Sequence, residues 1–268
     1  MALASGSPHA RACVRTSLLA LLAIGSRAFK LEKMPRSTPL QTRLDNITTQ
    51  TRSLVQPERL AITDNAVHDL LLSGIEDRIL PVGAIAPSFD LPDAAATALS
   101  NASSANTRFV HSSDLLAIGP LIVLFFRGRW CPYCMTQLEA WQAAFSQVRA
   151  HGALLVAISP QLPRQNDFAV QHHGLTYPLL SDAGCRIADA FRVAYAVPEP
   201  LQEHYRSIMI NLPFIHGDQG ADTWRLPVPA TFVIAPSGRI LFAEAHADHR
   251  VRPDPYDVLT VLEDPANR

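Results

Sequence analysis

Cysteines and long basic runs are both scarce in this sequence. Four cysteines in 268 residues are too few for the disulfide framework of a small secreted scaffold. A formal net charge of −1, without any long basic run, gives no support for nucleic-acid binding. Charged residues make up only 18% of the chain against 48% hydrophobic ones, which excludes a disordered protein. A chain of this length can form one substantial domain with appendages and can bury a sizeable core.

The first acidic residue of the sequence is Glu32. The apolar run at residues 17–24 is too short for a membrane span, which needs about 20 residues. Three interpretations stay open. The segment is a signal peptide with a small-residue cleavage site near Ala28, an arginine-rich organelle-targeting peptide, or the product of an over-long gene model whose true start codon is that of Met34. We favour the last, because the organised sequence begins just after Met34. We therefore expect residues 1–36 to be a tail, and the protein to be cytoplasmic without a membrane span.

The most informative stretch joins an apolar run to a pair of cysteines. Residues 121–126 are apolar and rich in β-forming residues, which predicts a buried strand. After a turn, Cys131 and Cys134 begin a segment with apolar residues at helical spacing, namely Leu138, Trp141, Phe145 and Val148. Pro132 suits the first turn of that helix. Free backbone N–H groups and the helix dipole stabilise a thiolate at such a helix start, so the pair predicts a labile, redox-active disulfide.

A zinc site is the main alternative to redox chemistry. Zinc needs two further ligands at similar spacing, but Cys13 and Cys185 are isolated and no histidine pair lies at a finger-like distance. We therefore expect no metal and no cofactor. Cys185 is either a distant resolving thiol or, as we favour, a small buried residue. Trp130 either covers one side of the sulfur pair or packs in the core, and Arg127 and Arg129 either lower a thiol pKa or are solvated.

The patterns along the chain predict three regions. Residues 37–80 contain two amphipathic helices, the first with Thr38 as N-cap and the second ending near Gly74, which form an N-terminal helical extension. We favour a packing role for this extension over a lid or a dimer contact. Residues 81–268 form the main domain, an α/β fold in which strands and helices alternate before a terminal hairpin and helix.

The elements expected within the main domain are an excursion at residues 93–107, strands at 153–158 and 177–180, helices at 164–173 and 182–191, a hairpin of 231–234 with 239–242, and a helix at 257–262. The segment at residues 198–227, with a helix near 201–209, is too long for an ordinary connection. We therefore expect it to be functional or to form the rim of the site. No internal repeat is visible.

Five motifs resemble one known family. They are Pro81-Val-Gly-x-x-Ala-Pro-x-Phe-x-Leu-Pro-Asp93, Phe125-Phe-Arg-Gly-Arg-Trp-Cys-Pro-Tyr-Cys134, Ile158-Ser-Pro-Gln161, Pro178-Leu-Leu-Ser-Asp182 and Pro229-Ala-Thr-Phe-Val-Ile-Ala-Pro-Ser-Gly238. Together they resemble the alkyl hydroperoxide reductase/thiol-specific antioxidant family, and the second resembles its peroxiredoxin-like subgroup with a Cys-x-x-Cys. The similarity covers roughly residues 40–262. It implies a thioredoxin-like fold, with a mixed central sheet flanked by helices.

The resemblance also assigns roles to individual residues. Cys134 falls at the peroxidatic position, and Cys131 falls where the family pattern has a threonine. Arg127 replaces the proline of that pattern, Gln137 replaces a glutamate, and Pro229 replaces an arginine that helps to bind peroxide. Thioredoxin-like proteins have a cis-proline at this last position. We therefore expect Pro229 to lie against the cysteine pair.

The activity that the resemblance implies is that of a thiol peroxidase. The Cys131/Cys134 pair would reduce hydrogen peroxide or an organic hydroperoxide, and thioredoxin or a similar thiol reductant would recycle it. The alternative is a thioredoxin-like oxidoreductase that acts on protein disulfides. The helix start favours Cys131 as the more exposed and more acidic thiol, whereas the family register favours Cys134. We expect Cys134 to attack peroxides and Cys131 to attack disulfides. Neither a nucleic acid nor a membrane is an expected partner, and a homodimer is a further expectation.

Overall fold

The computed structural model describes residues 39–94, 108–218 and 220–264. In chain order its strands are β1 (Asp90–Pro92), β2 (Phe109–His111), β3 (Leu121–Phe125), β4 (Leu154–Ser159), β5 (Leu179–Ser181), β6 (Ala194–Ala196), β7 (Arg225–Pro227), β8 (Ala230–Ile234) and β9 (Ile240–Ala245). Its helices are α1 (Leu40–Leu54), α2 (Pro57–Leu72), α3 (Ile75–Arg78), α4 (Ser112–Leu116), α5 (Pro132–Ala150), α6 (Pro163–His173), α7 (Arg186–Ala190), α8 (Glu199–Ser207), α9 (Leu212–His216) and α10 (Pro255–Leu259). Short 3-10 turns lie at Ala183–Cys185, Gly220–Trp224 and Thr260–Leu262.

Five strands form the central sheet in the order β5, β4, β3, β8 and β9. Strand β3 pairs in parallel with β4 and antiparallel with β8, and β8 and β9 form the predicted hairpin. Because parallel neighbours need a crossover connection, the chain passes from β3 to β4 through the long helix α5. The predicted thioredoxin-like α/β fold, with a mixed sheet flanked by helices, is confirmed.

The central strand β3 is buried on both faces of the sheet. Because side chains alternate along a strand, Ile122 and Leu124 lie in one apolar cluster, whereas Leu121, Val123 and Phe125 lie in another. The first cluster includes apolar residues of α1, α5 and α10, and the second includes residues of α3 and α7. This double burial explains why the strand is apolar throughout instead of alternating with polar residues.

The N-terminal helices belong to the same compact unit as the sheet. Helix α1 buries Leu40 and Leu44 in the cluster around α5, and α2 packs beside α8. The N-cap of α1 is Pro39 rather than the predicted Thr38, which lies outside the described residues. The first N–H of α1, that of Leu40, donates to the carboxylate of Asp254 at 3.0 Å, so a distant residue caps this helix.

The helix predicted over residues 182–191 is broken near its start. A 3-10 turn precedes α7, because Gly184 and Cys185 have positive φ angles of 73° and 59°. The carboxylate of Asp182 accepts the N–H groups of Ile187 and Ala188 at 3.0 and 2.9 Å and so caps α7. Cys185 is the N-cap residue of α7 and lies buried in the core cluster beneath β3.

Two other regions were predicted only in outline. Strands β1 and β2 pair antiparallel on either side of the predicted excursion, of which residues 95–107 lie outside the described part of the chain. The segment at residues 198–227 contains α8, α9 and β7 instead of a single helix. Among the helices that the structure describes, none is long and apolar enough to cross a membrane.

Candidate active site

The two cysteines lie between β3 and α5, as the sequence predicts. Cys131 is the N-cap of α5, Pro132 is its first residue, and the N–H of Cys134 donates to the carbonyl of Cys131 at 3.0 Å. Both side chains are free thiols and both are buried, with exposed fractions of 1% and 0%. Cys131 is the more accessible of the two, as its position at the helix start predicts, but the difference in exposed fraction is small.

An arginine from near the end of the chain reaches the sulfur of Cys134. The Nη2 atom of Arg252 lies 3.8 Å from Sγ of Cys134, and its Nε donates to Oε1 of Gln137 at 2.8 Å. The remaining Nη1 donates to the backbone carbonyls of His249 and Val251 at 2.7 and 2.6 Å. Arg252 is buried and stands 118 residues after Cys134. No pattern in the sequence connects the two residues, so Arg252 was not among the predicted site residues.

These contacts favour a negative charge on Cys134 over one on Cys131. Burial alone raises the pKa of Cys134, but a hydrogen bond from Cys131 and the charges of Arg252 and Arg127 outweigh burial and lower it. Burial, together with that hydrogen bond and the charge on Cys134, raises the pKa of Cys131. The shifts therefore favour a thiolate at Cys134 and a thiol at Cys131.

Arg127 is a second buried cation beside the pair. Its Nη2 donates to the phenol oxygen of Tyr205, and its guanidinium lies 4.8 Å from the centre of the Trp130 ring. Burial alone lowers the pKa of Arg127, but Tyr205, Tyr195 and the two thiols raise it by more than burial lowers it. This arginine therefore stays charged. Trp130 therefore covers the charged group that faces the sulfurs, in addition to packing against Tyr205.

Arg129 has a different environment from Arg127. Its Nε donates to Oε1 of Gln165 at 2.6 Å, and its guanidinium lies 4.5 Å from the ring centre of Phe168. These partners belong to α6, and Arg129 is not among the largest causes of the pKa shift of either cysteine. Arg127, and not Arg129, is therefore the arginine of this turn whose charge acts most strongly on the sulfur pair.

A cavity of about 200 Å³ opens onto Cys131. Trp130, Cys131 and Tyr133 line it from the helix start, and the facing wall comes from α1, α2 and α8 through Thr48, Thr51, Leu60, Thr63, His204 and Tyr205. The N-terminal extension and the segment at residues 198–227 therefore both line the site, the extension in addition to packing on α5. Cys134 does not line the cavity, so a molecule that enters meets Cys131 first.

The turn between β3 and α5 depends on Gly128. Its φ angle is 148°, and a Cβ atom added there would lie 2.6 Å from Nε1 of Trp130. We expect Gly128→Ala to displace Trp130 and to lower the free energy of unfolding by about 2–4 kcal/mol, from backbone strain and overpacking together. Urea unfolding followed by tryptophan fluorescence measures this change.

Gly174→Ala is the matched control, because Gly174 also has a positive φ of 60° but has open space around its Cα. In this control the free energy of unfolding should fall only by what the left-handed backbone conformation costs an alanine, about 1–2 kcal/mol. Equal losses in the two variants would show that contact with Trp130 contributes nothing.

With this geometry in hand, comparison with known proteins gives a family. Residues 82–243, more than half of the chain, match the sequence profile described as the AhpC/TSA family. The chain belongs to the AhpC/TSA family. It is a peroxiredoxin-like oxidoreductase, as its sequence motifs predict, and the peroxidase class of the enzyme is confirmed. Arg252 and helices α1 and α2 lie outside the matched region.

Solved structures of AhpC/TSA proteins share the fold at low sequence identity. Peroxidoxin BcpB from Mycobacterium tuberculosis is 20% identical, with a TM-score of 0.51 over 70% of this chain and 99% of that one. AhpC from Mycobacterium tuberculosis is 18% identical, with a TM-score of 0.51 over 69% of this chain and 92% of that one. At such identities the likeness establishes the fold alone. A search of curated proteins finds no match.

Gln137 and Pro229, which the AhpC/TSA pattern places at the site, have different surroundings in the structure. Gln137 is buried and binds Arg252, and its Nε2 has no partner among the described residues. Pro229 directly precedes β8 and lines a small cavity together with Arg127, while its carbonyl accepts the N–H of His246 at 3.1 Å. A direct contact of Pro229 with the sulfurs stays a prediction. In the described part of the chain, no group of three or more His, Cys, Asp or Glu side chains could hold a metal ion.

Proposed function

We propose that this AhpC/TSA protein is a thiol peroxidase in which Cys134 attacks the peroxide and Cys131 resolves the product. The observation that supports this most directly is the contact of Arg252 with Cys134, because a neighbouring cation keeps a buried sulfur ionised. A thiolate, and not a thiol, is the nucleophile in such reactions. Cys134 is therefore the better nucleophile at neutral pH, in agreement with its position in the family pattern.

The reaction has two steps on the protein. The Cys134 thiolate attacks the terminal oxygen of the peroxide, so that an S–O bond forms, the O–O bond breaks and the leaving oxygen takes up a proton to give water or an alcohol. Cys134 is then a sulfenic acid. The Cys131 sulfur, after losing its proton, attacks Cys134 and displaces the hydroxyl group as water, which leaves a Cys131–Cys134 disulfide. We propose thioredoxin or a similar dithiol as the reductant that restores the pair.

The position of Cys131 favours a second candidate function. Cys131 lines the cavity, whereas Cys134 lies behind it, so a protein or small-molecule disulfide would meet the Cys131 sulfur first. This arrangement fits a thiol–disulfide oxidoreductase in which Cys131 forms the mixed disulfide and Cys134 resolves it. For this function the cavity would have to admit a disulfide as far as the buried sulfur of Cys131, and a disulfide is far bulkier than hydrogen peroxide.

Steady-state peroxide consumption separates the two functions. We expect the full chain to consume hydrogen peroxide or an organic hydroperoxide when a thioredoxin system is present, and to stop after one turnover without it. Reduction of a protein disulfide such as that of insulin is measured in parallel with the same reductant. Disulfide reduction without peroxide consumption would contradict the peroxidase and establish the second candidate. A homodimer and a cytoplasmic location stay predictions from the sequence.

A further inference from the structure

Arg252 depends on a loop for its position. Residues 246–254, here called the arginine loop, connect β9 to α10 and contain neither helix nor strand. Two of the hydrogen bonds from Arg252 go to carbonyls of this same loop, at His249 and Val251, and would move with it. Outside the loop, the side chain contacts Gln137 and Cys134. Whatever fixes the arginine loop therefore also fixes the cation beside Cys134.

The first tie on the arginine loop comes from helix α1. The Nε2 of Gln41 donates to the carbonyl of Arg250 at 3.2 Å, and its Oε1 accepts the N–H of Arg252 at 3.4 Å. At the end of the loop, the carboxylate of Asp254 accepts the N–H of Leu40 at 3.0 Å. Helix α1 thus holds the backbone at Arg250 and at Arg252, together with the end of the loop.

Further ties come from α2 and α3. Arg250 donates to the carboxylate of Asp64 in α2 at 2.6 Å, and at the beginning of the loop the N–H of Ala247 donates to Glu76 in α3 at 2.6 Å. The loop is therefore bound to the N-terminal helices at its beginning, its middle and its end. A short loop without regular structure is mobile unless such contacts order it.

We propose that the N-terminal helical extension is a positioning element of the redox site, with Gln41 as the residue through which α1 holds Arg252 against the Cys134 thiolate. The proposal rests on the proposed function only in naming Cys134 as the reactive sulfur. Gln41 touches neither sulfur and acts through Arg252. Because the attraction between opposite charges weakens with distance and with water entry, a loosened loop leaves Cys134 less acidic.

Other charged or titratable groups also face the pair and must be kept constant in a test. They are Cys131 and Arg127 at the helix start and Tyr195 and Tyr205 behind Arg127, together with His249, which burial and the neighbouring arginines keep neutral by lowering its pKa. None of them contacts Gln41 in the hydrogen bonds that tie the loop to α1. A substitution at Gln41 therefore leaves Cys131, Arg127 and the two tyrosines in place, whereas His249 belongs to the arginine loop and moves with Arg252.

The test is a pH titration of the ultraviolet thiolate absorbance of the reduced full chain. The variant with both Cys131 and Cys134 replaced by serine is the blank, so the difference reports the first ionisation of the pair. We expect Arg252→Gln to raise this pKa by about 1 to 3. Gln41→Ala should raise it by about 0.5 to 1, a smaller increase, because Arg252 keeps its charge and loses only part of its positioning. Gln50→Ala, a glutamine-to-alanine change on the same helix at an exposed position, should leave it unchanged.

The combination of variants decides whether Gln41 acts through Arg252. In the Arg252→Gln background, adding Gln41→Ala should cause no further increase, because the cation that Gln41 positions is gone. An unchanged pKa in the single Gln41→Ala variant would overturn the proposal, and so would an equal increase in both backgrounds. If Arg252→Gln does not fold, Arg252→Met takes its place, because it also removes the cation and its unbranched side chain suits the buried site. The titration uses no peroxide, so failure of the peroxidase activity would leave its result intact.

Discussion

Replacing Cys134 by serine is expected to abolish the reaction with peroxide, whereas replacing Cys131 is expected to leave a single turnover. The difference follows from where the charge lies. Arg252 contacts the sulfur of Cys134, and the hydrogen bond from Cys131 also lowers the pKa of Cys134. Cys131→Ser keeps the thiolate and its cation but lacks the thiol that closes the disulfide, so Cys134 should stop as a sulfenic acid. Both variants should lose steady-state turnover with a thioredoxin system.

Trapping the sulfenic acid with a dimedone-type reagent, followed by mass spectrometry, locates the attacking sulfur. We expect label on Cys134 in the Cys131→Ser protein and none on Cys131 in the Cys134→Ser protein. Cys185→Ala is the control, because Cys185 is buried in the core and burial raises the pKa of its thiol. It should retain turnover. Label on Cys131 alone would reverse the assignment, and a loss of turnover in Cys185→Ala would make Cys185 the resolving thiol.

The strand, turn and helix around the cysteines could be predicted because the signals are local. A continuous apolar run marks β3, and apolar residues at helical spacing mark α5, so the position of Cys131 and Cys134 at their junction follows directly. Pro132 at the first position of α5 agrees with the same pattern. The resemblance of the motifs to the AhpC/TSA family predicted the family of the chain, and the match over residues 82–243 confirms it.

The acidity of the two thiols could not be predicted in the same way. An argument from the helix start alone favours Cys131, because it considers only neighbours along the chain. In the folded chain both thiols are buried and Arg252 contacts only Cys134, and these two features favour the opposite order. Arg252 comes from a loop 118 residues away, without periodicity or motif, and outside the region that matches the family. Which of two adjacent thiols carries the charge is therefore a property of tertiary packing.

The walls of the cavity were predicted only in part for the same reason. The length of the segment at residues 198–227 pointed to the rim of the site, and Tyr205 of α8 does contact Arg127 there. The helical extension gave no decisive signal, since amphipathic helices with ordinary apolar faces favoured packing over the lid or dimer contact that also stayed open. Its contribution to the cavity, through Thr48 of α1 and Thr63 of α2, becomes visible only when the chain is folded.

Arg127→Met is expected to slow the reaction of reduced protein with peroxide by about tenfold at pH 5 and by at most about twofold at pH 7, because it removes a charge that helps to lower the pKa of Cys134 to about 5. The loss should depend on pH in one direction. A raised pKa reduces the thiolate fraction most at low pH, so the deficit should grow as pH falls and shrink as pH rises towards the ordinary thiol value of about 8.5. Stopped-flow tryptophan fluorescence of single turnovers at several pH values measures the rate.

Arg129→Met is the matched control, since it removes the same charge two residues along the turn, where the guanidinium bonds Gln165 instead of facing the sulfurs. It should leave both the rate and its pH dependence unchanged. Arg127→Lys keeps a positive charge and should recover part of the rate, although it cannot reproduce the planar contact with Trp130. A deficit of equal size at every pH would mean that Arg127 supports the shape of the cavity and not the charge on Cys134. An equal deficit in Arg129→Met would show that any positive charge near the turn has the same effect, which would contradict the specific role assigned to Arg127.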